Sequence, residues 1–412
     1  MKTKIGLLIS LLILFFACGC SAVITTPELI STQTESNPAS TEPPQITLNP
    51  YSSPTHVSEL ELEEKFTYLL DQQAIGQYCL KFPQLTVYKA KDVGGQFYAA
   101  VLEQNNISAI SADSGELTPM FTPEFPQGHL LMIDYEHPWY AYLMVDSPNG
   151  LGEWNLHVVN LETGANTIVA NRDLFDSIPL NVYTTIDGGV MYLSTSTFED
   201  GFSVKSSKVY AIDLQTNEVT SLIDSADTDT YMSIISASKG YLLIENEPAQ
   251  DPEALHLSLY DIANKDWIEL PREYPASMPG IEYPYLIWKN TTRFEEPFSF
   301  TIYNVETGVS VVRDIAGRGA YDPMVSGDFV IIPASTGKDR STNSVVLYSL
   351  EGDGVYAIQV GMSNIFASDA YVDHGNVTFN FRESASASDY FSYACKVPVQ
   401  TVISESMVGI QD

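Results

Sequence analysis

The stretch "SKVYAIDLQTNEVTSL" at residues 207–222 decides the fold, because close variants of it return along the chain. They are "LHVVNLETGANTIV" at 156–169, "LSLYDIANKDWIEL" at 257–270 and "FTIYNVETGVSVV" at 300–312. Each begins with an apolar, alternating run, passes through Asn, Asp, Thr or Gly, and ends in a second short apolar run. Alternation is typical of a β-strand, and Asn, Asp and Gly supply the conformations of a tight turn. The stretch therefore predicts strand, turn, strand.

Aligning all such stretches gives seven repeats. The residue that opens the turn is, in order, Ser111, Asn160, Asp213, Asp261, Asn304, Ser349 and Lys396. Upstream of each lies another β-rich run, which a Gly or Pro turn precedes. These turn residues are Gly95, Pro138, Gly189, Gly240, Pro284, Gly327 and Gly375. A further apolar run leads into most of those turns, so each unit contains four strands.

A repeat of roughly 40–50 residues made of four short antiparallel strands is typical of a β-propeller. One blade cannot cover both of its own faces, so blades stack around an axis. The spacing of Gly and Pro and the β-branched content exclude helical repeats, and an immunoglobulin-like domain needs about 100 residues. The sequence predicts an all-β fold, a seven-bladed β-propeller of four-stranded blades.

Over residues 84–404 the repeats resemble the WD40, YVTN and TolB-like propellers, whose blades often contain "xxIYxxDxxTG". The fifth blade, "YLIWKN…FTIYNVETG", is the nearest match. No "GH…WD" pair recurs, so the chain differs from a standard WD40 protein. The resemblance implies the architecture and leaves the function open, because propellers carry out many functions.

The N-terminus predicts export and a lipid anchor. Lys2 and Lys4 precede a twelve-residue apolar run, which is too short to cross a bilayer but suits a cleaved signal peptide. The following "FFACGCS" resembles the lipobox of bacterial lipoproteins, which implies a signal peptide at 1–19 and a lipid on Cys20 or, alternatively, on Cys18. An ordinary secretory signal with incidental cysteines is the other interpretation.

Residues 20–58 are rich in Ser, Thr and Pro and predict a disordered tether, because they cannot bury enough apolar surface to order themselves. The segment "SELELEEKFTYLLDQQ" at 58–73 has a capping-box pattern and helical spacing, so it predicts a short helix docked on the propeller. The propeller domain is thus expected at 59–412.

Beyond the lipobox the chain has two cysteines, Cys79 and Cys395. In an exported protein they predict one disulfide. A propeller ring commonly closes when a strand from one terminus enters the blade built by the other, which places both cysteines at that seam. Two buried free thiols are the alternative.

Motifs for catalysis are missing. The sequence contains no G-x-S-x-G, P-loop, G-x-G-x-x-G or H-E-x-x-H motif, so we predict no enzyme, no cofactor and no metal site. A calcium loop at Asp224, Asp227 and Asp229 is a weaker alternative to a solvated acidic turn. Of the four tryptophans, Trp154 is the one expected to be exposed and Trp139 is expected in the core.

The net charge and the positions of the arginines indicate which kinds of partner the protein binds. A net charge of −32 disfavours nucleic acid and anionic lipid surfaces, although acidity is also common on solvated surfaces. Connections between blades share one face with the connections between second and third strands, and the arginines concentrate there. The predicted binding residues are Arg172, Arg272, Arg293, Arg318, Arg340, Tyr274 and Tyr321, and Arg313 and Arg382 map to the same face. Guanidinium groups suit carboxylates and phosphates. Pairing with neighbouring acids such as Asp173 is the alternative.

These patterns favour an extracytoplasmic binding or scaffold propeller, anchored to the cell membrane by its lipid and engaging a protein partner or a small anionic ligand. Two alternatives remain open. One is a propeller enzyme of the lyase or glycosidase type with its site at the central channel, and the other is a ligand-sensing module.

Overall fold

Seven antiparallel sheets follow one another along the chain in the computed structural model, and they are the blades of a propeller. The structure describes residues 55–57, 67–93, 96–101, 106–111, 114–121, 129–147, 152–175, 183–199, 203–224, 230–248, 256–270, 277–290, 298–315, 318–319, 323–336, 342–350, 354–360, 365–386 and 389–408. The seven-bladed prediction is confirmed. The predicted signal peptide and nearly all of the predicted tether lie outside these residues.

The first four blades each use one continuous stretch of chain, and their strands pair in chain order. Blade 1 contains β4 (Val87–Val93), β5 (Gln96–Val101), β6 (Asn106–Ile110) and β7 (Leu117–Pro119). Blade 2 contains β8 (His129–Glu136), β9 (Trp139–Val145), β10 (Trp154–Asn160) and β11 (Asn166–Asn171). Blade 3 contains β12 (Tyr183–Asp187), β13 (Val190–Glu199), β14 (Ser203–Asp213) and β15 (Val219–Asp224). Blade 4 contains β16 (Thr230–Ser238), β17 (Tyr241–Pro248), β18 (His256–Asp261) and β19 (Asp266–Glu269).

Blades 5 and 6 gain an outer strand from the N-terminal segment. Blade 5 contains β20 (Ser277–Glu282), β21 (Tyr285–Lys289), β22 (Phe298–Asn304) and β23 (Val309–Ile315), and β1 (Thr55–Val57) pairs in parallel with β23. Blade 6 contains β24 (Arg318–Gly319) and β25 (Met324–Ser326), which both pair with β26 (Phe329–Thr336), followed by β27 (Thr342–Ser349) and β28 (Val355–Val360). In this blade β2 (Thr67–Leu70) pairs in parallel with β28.

Blade 7 closes the ring. It contains β29 (Ile365–Asp373), β30 (Asn376–Ser386) and β31 (Asp389–Pro398), and its fourth strand is the N-terminal β3 (Cys79–Pro83). Cys79 lies opposite Cys395 in the β3–β31 pairing, and the two residues form a disulfide with an S–S distance of 2.02 Å. The chain therefore joins its two ends by a strand and by a covalent bond.

Two helices flank this seam. Helix α1 (Gln72–Tyr78) begins after Asp71, whose carboxylate accepts a hydrogen bond from the Ala74 N–H at 2.8 Å, and α2 (Val399–Val408) follows β31. The predicted helix at 58–73 is wrong at Thr67–Leu70, which is strand β2, and the helix begins only at Gln72. An edge strand such as β28 offers unpaired backbone groups, and Tyr68 also packs against the core between blades 6 and 7.

The core is divided into seven apolar clusters within the described residues, one for each contact between neighbouring blades. Strand β21 shows how this arises: Leu286 and Trp288 pack against blade 4, whereas Ile287 packs against blade 6. Successive side chains of a strand point to opposite faces. Because both faces of each blade are covered, the sequence runs of the second strands are almost continuously apolar.

Candidate functional site

The two faces of the propeller differ in the length of their connections. Every connection between a first and a second strand contains two residues, as between Glu136 and Trp139. On the opposite face, eight residues join Val145 to Trp154 and eleven join Asn171 to Tyr183. We call these the hairpin face and the loop face. Binding residues concentrate in longer connections, so the loop face is the first candidate site.

Three of the arginines assigned to the loop face have described side chains. Arg172 follows β11 and its Nη1 lies 3.4 Å from Glu153 Oε1, with both side chains exposed. Arg382 is exposed on β30, and its guanidinium lies 3.8 Å from the centroid of the Tyr390 ring. Arg172 lies in the connection that follows β11 on the loop face, whereas Arg382 is the seventh of the eleven residues of β30 and so lies within the strand.

Arg313, in contrast, is half-buried on β23. Its Nε donates a 2.5 Å hydrogen bond to the Tyr348 hydroxyl, which ties blade 5 to blade 6. Of the remaining predicted binding residues, Arg318 is the first residue of β24. Five lie outside the described residues: Arg272, Arg293, Arg340, Tyr274 and Tyr321.

The hairpin face carries a set of acceptors that sequence reasoning missed. The last residue of several first strands accepts hydrogen bonds from backbone N–H groups of the next blade. Glu136 accepts from Gly188 and Gly189, each at 3.0 Å, and Asp187 accepts from Gly240 at 3.0 Å. Ser238 does the same for Tyr283 and Ser326 for Val372.

The reason for these acceptors lies in the inner end of each blade. Most of the donors lie in the two-residue turn after a first strand, and Val372 lies in a first strand itself. A backbone N–H group without a partner in its own sheet needs one from elsewhere. A polar residue stands directly before the two-residue turn in six of the seven blades, as in Glu136 before "HP" and Asp187 before "GG", and this is the sequence pattern that identifies the acceptors.

Acidic groups at this end of the axis influence one another. Burial raises the pKa of Glu282, and the nearby acids Asp187, Glu136 and Asp328 raise it further, while Lys239 lowers it. Burial likewise raises the pKa of Asp134, against the attraction of Lys91. The Lys91 ammonium is buried between the rings of Tyr135 and Tyr371, at 3.7 and 3.9 Å from their centroids. This cluster joins the first strands of blades 7, 1 and 2.

Histidines and acids do not gather into a metal centre within the described residues, where no group of three or more ligands is found. His157 is buried and stacks on Tyr142, and His374 Nδ1 lies 2.8 Å from Asp373. Of the proposed calcium ligands, Asp224 pairs with Lys208 at 2.7 Å, while Asp227 and Asp229 lie outside the described residues.

The prediction for the tryptophans is wrong in part. Trp154 is 1% exposed and packs in the core between blades 2 and 3. Trp139 is half-buried beside a cleft, and Trp267 is 42% exposed. Trp154 is the first residue of β10 and its side chain packs into the contact between blades 2 and 3. Because a polar stretch of sequence precedes it, this burial is not evident from the sequence.

Comparisons with known proteins give a likeness of fold. No protein-family model matches the chain, and no curated protein matches it by sequence. A prolyl endopeptidase structure matches 84% of this chain and 49% of its own, with 10% identity and a TM-score of 0.54. Oligogalacturonate lyase from Vibrio parahaemolyticus matches 78% of this chain and 98% of its own, with 9% identity and a TM-score of 0.51.

TolB from Acinetobacter baumannii is also similar, with 11% identity and a TM-score of 0.37, over 76% of this chain. The likeness establishes the fold alone. The chain spans 64% of TolB and about half of the prolyl endopeptidase. Among the described residues no helix has the length and apolar character needed to cross a membrane.

Proposed function

We propose that this protein is a lipid-anchored, extracytoplasmic binding propeller that engages a protein partner or an anionic ligand through its loop face. The observation that carries the proposal is the asymmetry of the two faces. Connections of the hairpin face contain two to six residues, whereas those of the loop face reach eleven, and the sequence assigns the arginines to the loop face.

Arg382 is the best-described contact residue of this proposed site. Its guanidinium carbon lies 3.8 Å from the centroid of the Tyr390 ring, and among the described residues it has no acidic partner. Stacking fixes the plane of the donor fork, so less side-chain entropy is lost when a carboxylate or phosphate binds. Arg172 is already paired with Glu153, but an exposed ion pair contributes only about 0–1 kcal/mol, so a partner's acid can replace it.

Two further features support the cellular setting. The Cys79–Cys395 disulfide suits an oxidising, extracytoplasmic compartment. The lipobox-like "ACGC" before a long Ser/Thr/Pro-rich segment suits a folded body held away from a membrane. A chain this acidic gains little from anionic lipid headgroups, so a lipid on the protein would have to hold it there.

Affinity capture from the organism's own membranes, followed by mass spectrometry, tests the proposal. We expect Arg382→Glu, and more strongly Arg318→Glu with Arg340→Glu, to reduce recovery of the partner at least tenfold without lowering the melting temperature. Lys265→Glu is the matched control, because it makes the same charge change at an exposed turn of the hairpin face. Equal recovery with all variants would refute the loop-face assignment.

A further inference from the structure

A cleft of about 190 Å³ opens on the hairpin face between blades 2 and 3. Its floor is apolar and consists of Val158, Val169 and Leu214. Its rim carries hydroxyl and amide side chains, among them Thr163, Thr167, Gln215 and Asn217, which come from the turns and strands of both blades. Small-molecule sites are commonly built this way, with an apolar lining and a few polar groups that orient the ligand.

Trp139 forms one wall of this cleft. The ring is half-buried against the core between blades 2 and 3, so its position is fixed. Its Nε1 donor has no hydrogen-bond acceptor within the described part of the chain. A Cβ on Gly189 would lie 3.7 Å from Nε1, and Gly189 has φ of +76°, so this glycine suits the turn and leaves the indole edge uncrowded.

The cleft is also free of charge, although the chain carries −32. Three acids near it in sequence are occupied elsewhere. Glu136 accepts from the N–H groups of the following blade, and Glu162 lies 3.5 Å from His137. Asp213 accepts from the N–H groups of its own turn, which lowers its pKa. A ligand therefore meets no carboxylate in the lining, which favours a neutral molecule.

We propose that this cleft binds a neutral pyranose sugar. An aromatic wall and an apolar floor match the C–H face of the ring, and the rim amides and hydroxyls match the hydroxyl groups on its edge. The volume admits a single ring, because sites for drug-sized ligands run to about 300–1,000 Å³. The site lies on the face opposite the proposed partner surface, so it does not depend on the proposed function.

Indole N–H resonances of isotope-labelled protein provide the test, since the chain has four tryptophans and Trp139→Phe identifies one resonance. The probes are methyl β-D-glucopyranoside, methyl β-D-galactopyranoside and N-acetylglucosamine, each titrated to tens of millimolar. We expect at least one of them to shift the Trp139 resonance saturably. Glucuronate and glycerol should shift it far less, because the first is charged and the second has no ring.

Two matched variants separate a site from a general solvent effect. Thr167→Tyr fills the cleft from its opposite wall and should weaken binding at least tenfold, while Tyr remains well suited to a strand. Ile168→Tyr places the same ring on the neighbouring residue, which is 42% exposed outside the cleft, and should leave binding unchanged. The proposal is overturned if no pyranoside shifts the Trp139 resonance saturably, if glycerol does so equally, or if the two tyrosine variants bind alike.

Discussion

Lys396 stands where most other blades have a turn-capping side chain. In blades 2 and 3, Asn160 and Asp213 accept hydrogen bonds from N–H groups of the turn that follows the third strand. Blade 7 has no such turn, because its fourth strand is β3 from the other end of the chain. Lys396 instead forms an ion pair with Asp92 of blade 1, which is 1% exposed.

We expect Lys396→Met to destabilise the protein by about 2–3 kcal/mol. Breaking a fully buried pair costs about 3–5 kcal/mol, because one charge remains without a partner, and the lysine here is 35% exposed. Asp92 accepts no other hydrogen bond among the described residues. Urea unfolding at neutral pH should show the deficit.

The matched control is Lys265→Met, an exposed turn lysine that should change stability by less than about 0.5 kcal/mol. Adding Asp92→Asn to Lys396→Met should recover part of the loss. If Lys396→Met is as stable as the control at neutral pH, the ion pair does not compensate the burial of Asp92.

At the scale of elements, the closing strand β3 combines backbone pairing with the disulfide. The cysteines are separated by 316 residues, so the loop-entropy model gives roughly 5–6 kcal/mol. The measured value should be smaller, about 2–5 kcal/mol, because β3 remains paired with β31 and native proteins rarely realise the full entropic gain.

The variant Cys79→Ala with Cys395→Ala should therefore unfold at a lower urea concentration, with the fold retained. Reductant should lower the midpoint of the natural protein to nearly that of the variant, and should not affect the variant itself. A natural protein whose midpoint is unchanged after both thiols have been shown to be reduced would contradict a stabilising role for this bond.

Elements that recur could be predicted from the sequence, whereas solitary ones could not. Seven copies of the strand pattern reinforce one another, so the blades are evident even where one copy is irregular, as at Lys396. Strands β1 and β2 are three and four residues long, and their partners β23 and β28 lie far along the chain. "FTYLLDQQ" fits a helix locally, and only the free edge of β28 makes part of it a strand.

At the scale of the whole molecule, the blades form a closed ring, so each of the seven contacts between neighbouring blades depends on the others. The strand order tells which face each connection lies on, and the assignment of the arginines to one face stays a prediction. The sequence could not say which of them are engaged, because Tyr348 and Tyr390 reach Arg313 and Arg382 only in the folded ring. The cleft at Trp139 was likewise hidden, since it is built from two blades.

Anchoring is also a property of the whole molecule, and it has a direct test. A net charge of −32 repels an anionic membrane surface, so we propose that attachment comes from a lipid at Cys20, or at Cys18. One acyl chain binds a membrane only marginally and two bind it stably. We expect Cys18→Ser with Cys20→Ser to move the protein from the membrane fraction to the soluble fraction, and Cys20→Ser alone to do so if Cys20 carries the lipid.

The variant Cys79→Ala with Cys395→Ala should remain in the membrane fraction, since its N-terminus is unchanged. A double serine variant that stays with the membrane through a high-salt wash would show that something other than this lipid holds the protein.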